Sequence, residues 1–132
     1  MDPMFIVAQK AMIRKGNEFL ILKRSPDRPT YPNHWDFPGG MLEHGEDPEK
    51  GILREVSEES GLKVNVIKPI FCASRNVNDR HVFFVVYECE LVSGEIQLSN
   101  EHTEFRWANR EEILKLPVEY YLKAFLTYKY PK

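Results

Sequence analysis

Three glutamates in the segment Gly39–Leu62 (GGMLEHGEDPEKGILREVSEESGL) carry the most chemistry in this chain of 132 residues. Asp47-Pro48 reads as a helix start, an N-cap acid followed by proline at the first helical position. Gly61, after Ser60, reads as its stop. With Glu55 at zero on a helical wheel, Glu59 falls at about +40° and Glu58 at about −60°. Three carboxylates therefore share one arc of about 100°. Ile52, Val56 and Leu53 fall between about +60° and +160° and form the stripe to be buried. Like charges at these spacings cost a helix roughly 0.2–0.5 kcal/mol per pair. Arg54, four residues before Glu58, relieves part of that cost. One reading is a solvated acidic face. The other is a hard divalent cation: Mg²⁺ suits carboxylate oxygens, keeps several waters and is commonly completed by substrate phosphates. The second reading predicts phosphoryl chemistry.

Two glycine features bear on the choice. Gly51 lies one turn before Glu55, at about −40° on the acid face. Glycine inside a helix costs about 1 kcal/mol relative to alanine, so something needs the room: either a substrate or metal-bound water, or close packing against another backbone. Gly39-Gly40 offers peptide groups that can approach a metal or phosphate with no side chain in the way.

The segment resembles the Nudix hydrolase signature, G-x5-E-x7-R-E-U-x-E-E-x-G-U, where U is a bulky aliphatic residue. Gly40 is followed by five residues and Glu46, then seven more lead to Arg54-Glu55-Val56-Ser57-Glu58-Glu59-Ser60-Gly61-Leu62. Every defined position matches. The resemblance implies an α/β fold, a Nudix-type α/β/α sandwich with a mixed β-sheet between helices. It also implies hydrolysis of a nucleoside diphosphate linked to another group, with Mg²⁺ or Mn²⁺ as cofactor. Glu55, Glu58 and Glu59 occupy the family's metal-binding positions, and Glu55 also matches the position cast as general base. Arg54 matches the residue that orients that glutamate. Glu46 occupies the position that holds loop and helix together. Gly39, in preference to Gly40, is the expected backbone metal ligand.

Subgroup markers lie outside the signature. Neither the proline of ADP-ribose hydrolases nor the tyrosine of dinucleoside polyphosphate hydrolases occurs in Arg75-Asn76-Val77-Asn78-Asp79-Arg80. Trp35-Asp36-Phe37-Pro38-Gly39-Gly40 is similar to the MutT-type approach to the signature. The expectation is a MutT-like nucleoside triphosphate pyrophosphohydrolase releasing a monophosphate and pyrophosphate. The alternatives are an ADP-sugar or ADP-ribose pyrophosphatase, and a Nudix module that binds nucleotide without cleaving it. Arg24 resembles an arginine that contacts phosphate in MutT-like enzymes, or is a solvated strand-end cation. Asp36, with Asn33 and His34, sits where a base could be read, or forms loop hydrogen bonds. A further acid is expected from outside the helix. Strand alternation sets Phe105 and Trp107 on one face, expected to be buried, and leaves Glu104 solvated beside Arg106. Glu101, in the preceding loop, is therefore favoured over Glu104 as the additional catalytic acid.

These residues need a scaffold to position them. Phe5–Arg14 and Phe19–Leu22 read as a hairpin about the turn Gly16-Asn17. Residues 25–33, with prolines at 26, 29 and 32, read as a loop. Trp35–Phe37 is a short strand that Pro38-Gly39-Gly40 ends. Val64–Ser74, His81–Leu91 and Phe105–Trp107 are further strands. Asn109 with Glu112 forms a capping-box pattern, and Pro117 opens a last amphipathic helix carrying Val118, Tyr121, Leu122 and Phe125.

Composition bounds the rest. The length fits one domain over residues 1–132. With 18 basic and 20 acidic residues the formal charge is −2, which argues against duplex nucleic acid as a partner. No apolar run approaches the ~20 residues of a membrane helix, and Met1–Phe5 does not begin a secretory signal. Cys72 and Cys89 lie singly in apolar runs and read as buried thiols in a reducing cytoplasm. The expected partner is a small nucleotide, and a homodimer is left open.

Overall fold

The structure, a computed structural model, describes residues 5–130; Met1–Met4, read above for a leader, lie outside it. Seven strands alternate irregularly with helices: β1 Phe5–Lys15, β2 Glu18–Arg24, β3 Trp35–Asp36, β4 Gly39–Met41, α1 Pro48–Ser60, β5 Lys63–Val77, β6 Arg80–Ser93, β7 His102–Ala108, α2 Arg110–Leu114 and α3 Tyr120–Ala124. A π-helical turn, Phe125–Lys129, continues α3. The sheet is mixed, in the order β3-β2-β1-β6-β5, with β4 also on β1 and β7 also on β2. Among the strands of the described residues only β1 and β6 pair in parallel, from Phe5↔His81 to Ile13↔Cys89.

The expected hairpin forms only at its turn, Arg14↔Phe19 and Lys15↔Glu18. Beyond that the strands part. β1 goes to β4 and β6, and β2 to β3 and β7. Both central strands are buried on both faces, which is why Phe19-Leu20-Ile21-Leu22 is continuously apolar rather than alternating. Leu20 and Leu22 join Ala11 and Ile13 against Ile52 and Val56 of α1. Phe19 and Ile21 face the other way, toward Phe37, Ile113, Tyr121, Leu122 and Phe125. The sheet is thus covered by helix on both sides, the expected α/β/α sandwich.

Helix α1 has the predicted ends. Asp47 Oδ2 accepts from the Lys50 N–H at 3.2 Å, and Gly61 closes the helix at φ 74°. The capping box of α2 is complete, with Asn109 and Glu112 each accepting from the other's N–H at 2.9 Å.

Several local expectations give way to tertiary pairing. β3 ends before Pro38 as expected, but Gly39 and Gly40 then open a strand of their own, β4, with Gly39 opposite Lys10 and Gly40 opposite Gln9. A Cβ on Gly39 would lie 1.9 Å from the Gln9 carbonyl oxygen, so only glycine permits that approach. Val118 makes an isolated bridge with Trp35, and α3 begins two residues later with Glu119 as its N-cap. Phe105 is 45% exposed, and Trp107 is only half-buried beneath Lys15, whose Nζ lies 4.6 Å from the ring centre. β7 lies outboard of β2, away from β1, β4 and β5 on which α1 mainly packs, so the α1-side cluster covers Trp107 only in part. Cys89 is buried but Cys72 is exposed, because edge strand β5 turns Phe71 and Ala73 inward and Cys72 outward. Among the described residues no helix is long and apolar enough to cross a membrane.

Replacing Asp47 by Ala removes the α1 cap and should lower stability by about 1 kcal/mol. Urea denaturation checks this: the midpoint should fall at unchanged slope.

Candidate active site

Helix α1 lies across β1 and β4, and its three acids fare differently. Glu59 turns inward. It is 7% exposed, and its Oε1 accepts the Gly39 N–H at 2.9 Å. Burial pushes its carboxyl up to about 8, against the pull of Lys10 and of that N–H. Glu55 is half-buried, and burial raises its pKa against the opposing pull of Arg54. A Cβ on Gly40 would fall 2.3 Å from Glu55 Oε2, so the glycine keeps the space over this carboxylate open. Glu58 faces outward, 55% exposed at its side chain, and accepts both its bonds from Arg54, at 3.0 and 3.2 Å.

Arg54 organises this end. Its Nε and Nη2 donate to the two oxygens of Glu46 at 2.7 and 3.0 Å, a bidentate pair. Those bonds, with the Glu43 N–H, hold the Glu46 carboxyl down at about 2. The same Nη2 lies 3.0 Å from Glu55 Oε1. Loop 42–47 is thereby fixed to the helix. Gly51 belongs to this clamp: a Cβ there would meet Gln9 Oε1, Glu46 Oε1 and Leu42 Cδ1 at about 3 Å. The room is taken by these three side chains, and not by another backbone as one reading of the sequence had it.

Beside the acids lies a cavity of about 610 Å³. Its wall includes Glu55, Glu59, Gly39, Gly40, Glu101, Arg24 and Asp36, so seven of the ten residues singled out from the sequence meet in one place. Arg54, Glu46 and Glu58 stand behind it. Glu101 reaches the cavity from the loop before β7, its Oε1 3.4 Å from Arg28. Glu104 is absent from the wall and pairs with Lys23 at 3.3 Å on the outer surface.

The cavity floor was not legible as a unit. Lys10, 5% exposed, donates to Asp36 Oδ2 at 2.7 Å and lies 3.9 Å from Glu119. The Tyr121 hydroxyl donates to Asp36 Oδ1 and accepts the Phe37 N–H at 3.0 Å. Burial works against the charge of Asp36, yet Lys10 and these bonds bring its pKa down to about 2. Burial and the neighbouring Asp36 push Glu119 up to about 8. Arg24 donates to the Thr30 carbonyl at 2.9 and 3.1 Å and approaches Glu119 at 3.5 Å, which ties the proline-rich loop to the floor. His102 also lines the cavity, and burial lowers it to about 4, so it is neutral. Neither Lys10 nor Glu119 belongs to a motif. The one signal the sequence holds is the polar pair Gln9-Lys10 set between Val7-Ala8 and Ala11-Met12-Ile13.

Among the described residues no three His, Cys, Asp or Glu side chains close on a common point as a ready metal cage. The donors nevertheless suit a hard cation. They are all oxygens, two belong to partly or fully buried carboxylates whose charge burial disfavours, and Gly40 leaves the approach open. Mg²⁺ needs few protein ligands when water and phosphate supply the rest.

The floor makes a pH prediction. An acid whose folded pKa is raised contributes stability at low pH that is lost as pH rises through that value. The melting temperature of metal-free protein should therefore fall as pH rises from the carboxyl's ordinary 4.5 through about 8, and Glu119→Gln should flatten part of that slope. Calorimetric melts of both proteins across this range check it.

The family model for the NUDIX domain matches residues 4–128. The chain is 23% identical over 129 residues to the nucleoside triphosphatase NudI of Enterobacter sp. strain 638, covering 89% of this chain and 92% of that one. It is 26% identical over 127 residues to an ADP-ribose pyrophosphatase of Methanocaldococcus jannaschii, covering 93% and 74%. The crystal structure of a MutT protein from Methanosarcina mazei superposes with a TM-score of 0.87 at 29% identity, over 96% of this chain and 94% of that one. With its signature residues gathered on α1 and β4 and the domain match spanning nearly its whole length, the chain belongs to the Nudix hydrolase family.

Proposed function

We propose that the chain acts as a single-domain, Mg²⁺- or Mn²⁺-dependent nucleoside triphosphate pyrophosphohydrolase that releases a nucleoside monophosphate and pyrophosphate. The observation that carries this is the cavity itself. One end is carboxylate and glycine backbone, suited to a cation and phosphates, and the other is a polar floor suited to the edge of a base. The name of the NudI relative supports the triphosphate.

Glu55 and Glu59, with the backbone at Gly39, would hold the cation, joined by Glu58 once its carboxylate turned away from Arg54. When bound, the cation would draw charge from the phosphate oxygens and ease loss of a proton from the attacking water. Glu55, whose carboxylate faces the open space beside Gly40, is the general base. Arg54 keeps Glu55 turned toward Gly40. Glu101 faces the same space from another element and assists as a second acid–base group. Lys10, braced by Asp36, sets a fixed positive charge in the floor. Arg24 acts by anchoring the loop wall on Thr30.

Chelator-treated protein should lose activity and regain it with Mg²⁺ or Mn²⁺. With metal present, a panel of nucleoside triphosphates should yield monophosphate and pyrophosphate, resolved by ion-exchange chromatography. ADP-ribose should be a poor substrate; if it is the only compound cleaved, the pyrophosphatase reading replaces this one. Failure to cleave anything would leave a binding module.

Glu101→Gln and Glu104→Gln provide an internal comparison. The first should lower kcat roughly 10²-fold or more, the scale of a lost acid–base group. The second should leave kcat near normal, because Glu104 only pairs with Lys23 on the surface. The reverse ranking would remove Glu101 from the mechanism.

A further inference from the structure

One guanidinium and two tyrosines join three separate elements at the wall of the cavity. Tyr31, in the proline-rich loop, lines that wall; the Arg75 guanidinium of β5 lies 5.2 Å from the Tyr31 ring centre and 5.5 Å from that of Tyr120 on α3. We propose that the Tyr31 ring is the surface on which the base of the substrate stacks, and that Arg75 and Tyr120 are positioning residues that hold the ring. The assignment rests on the nucleotide reading above.

Elimination supports it. Three described residues of the cavity wall carry aromatic rings: Tyr31, Phe84 and His102. Phe84 is 5% exposed and already stacked on Tyr121, at 4.9 Å and an interplanar angle of 14°. His102 is buried as well. Tyr31 is the half-buried one, and so has ring surface left for a ligand.

The chain also pays attention to where this ring goes. Tyr31 adopts φ +49°, a left-handed backbone that a bulky residue seldom takes. The His34 N–H donates to its carbonyl at 3.2 Å, and the His34 ring meets it edge-on at 5.3 Å. Its loop is pinned by Arg24 through Thr30, immediately before it. Behind it, a cation on the ring face adds an attraction that favours one ring orientation. An aromatic ring so fixed can stack on any base, because every base has a π-face. It therefore supplies affinity for the base as a class, while choice among bases falls to the polar floor.

The test separates the ring from the loop. Tyr31→Asn removes the ring, and asparagine tolerates the left-handed backbone. Tyr31→Phe keeps the ring. Each is compared with the wild type in Mg²⁺-dependent kinetics on the four ribonucleoside triphosphates, and in inhibition by tripolyphosphate, which has no base. Tyr31→Asn should raise KM about tenfold with kcat little changed, the size of one lost base–aromatic stack. The inhibition constant of tripolyphosphate should not move, and Tyr31→Phe should behave as wild type. Arg75→Gln should raise KM in the same sense but by less. An unchanged KM in Tyr31→Asn overturns the assignment. An equal loss toward tripolyphosphate also overturns it, because the ring would then shape the whole cavity. A wild type that cleaves no nucleotide overturns the proposed function and this assignment together. Normal wild-type turnover with an unaltered Tyr31→Asn overturns this assignment alone.

Discussion

A single guanidinium stands among four carboxylates. Arg54 lies within 4 Å of Glu43, Glu46, Glu55 and Glu58, and the acidic end of the cavity depends on it. Without a cation at that point, α1 would carry like charges at one-turn spacing with nothing to offset them. A lysine could offset the charge but not the geometry. Only a planar fork can grip both oxygens of Glu46 while turning a further N–H toward Glu55. Glu59 lies beyond this reach and depends on one backbone N–H, from Gly39. That bond exists because β4 can press against β1, and β4 can do so because Gly39 has no side chain.

The helix was legible because everything that defines it is local. Asp47, Pro48 and Gly61 set its ends, and the 3.6-residue period separates Ile52 and Val56 from the acids. Of the two acids near β7, Glu101 lines the cavity and Glu104 pairs with Lys23 outside it. The burial expected of Phe105 and Trp107 does not hold. Alternation told correctly that Phe105 and Trp107 share a face, but not that α1, on that face, packs mainly on β1, β4 and β5 and leaves β7 largely open. Parity is a property of the strand; burial is a property of what lies across from it. The same distinction explains Cys72, which alternates correctly and ends up outside.

The floor escaped for a different reason. Lys10, Asp36, Glu119 and Tyr121 come from β1, β3, the turn before α3 and α3 itself. No spacing links them. Each alone reads as an ordinary polar residue, and only the sheet order brings them together. Their burial makes the arrangement costly unless every charge is met, since breaking a buried pair strands the other partner. The structure meets that cost with two cations, two acids and a hydroxyl, and the carboxyls divide the work: Asp36 is held ionised and Glu119 is held protonated near neutrality.

The alternation of β1 has a further consequence. Gln9 points to one side, donating to the Pro48 carbonyl at the start of α1 and to the Tyr87 hydroxyl. Lys10, its neighbour, points to the other and anchors Asp36. One peptide link thus ties the helix that bears the acids to the floor beneath the substrate. Substitutions in the proline-rich loop or the β5–β6 turn can remodel the wall while leaving this link untouched. Inserting or deleting one residue in β1 cannot, because every side chain beyond it would exchange sides. Substrate preference in this scaffold is therefore free to drift at the rim, whereas the length of its central strand is fixed.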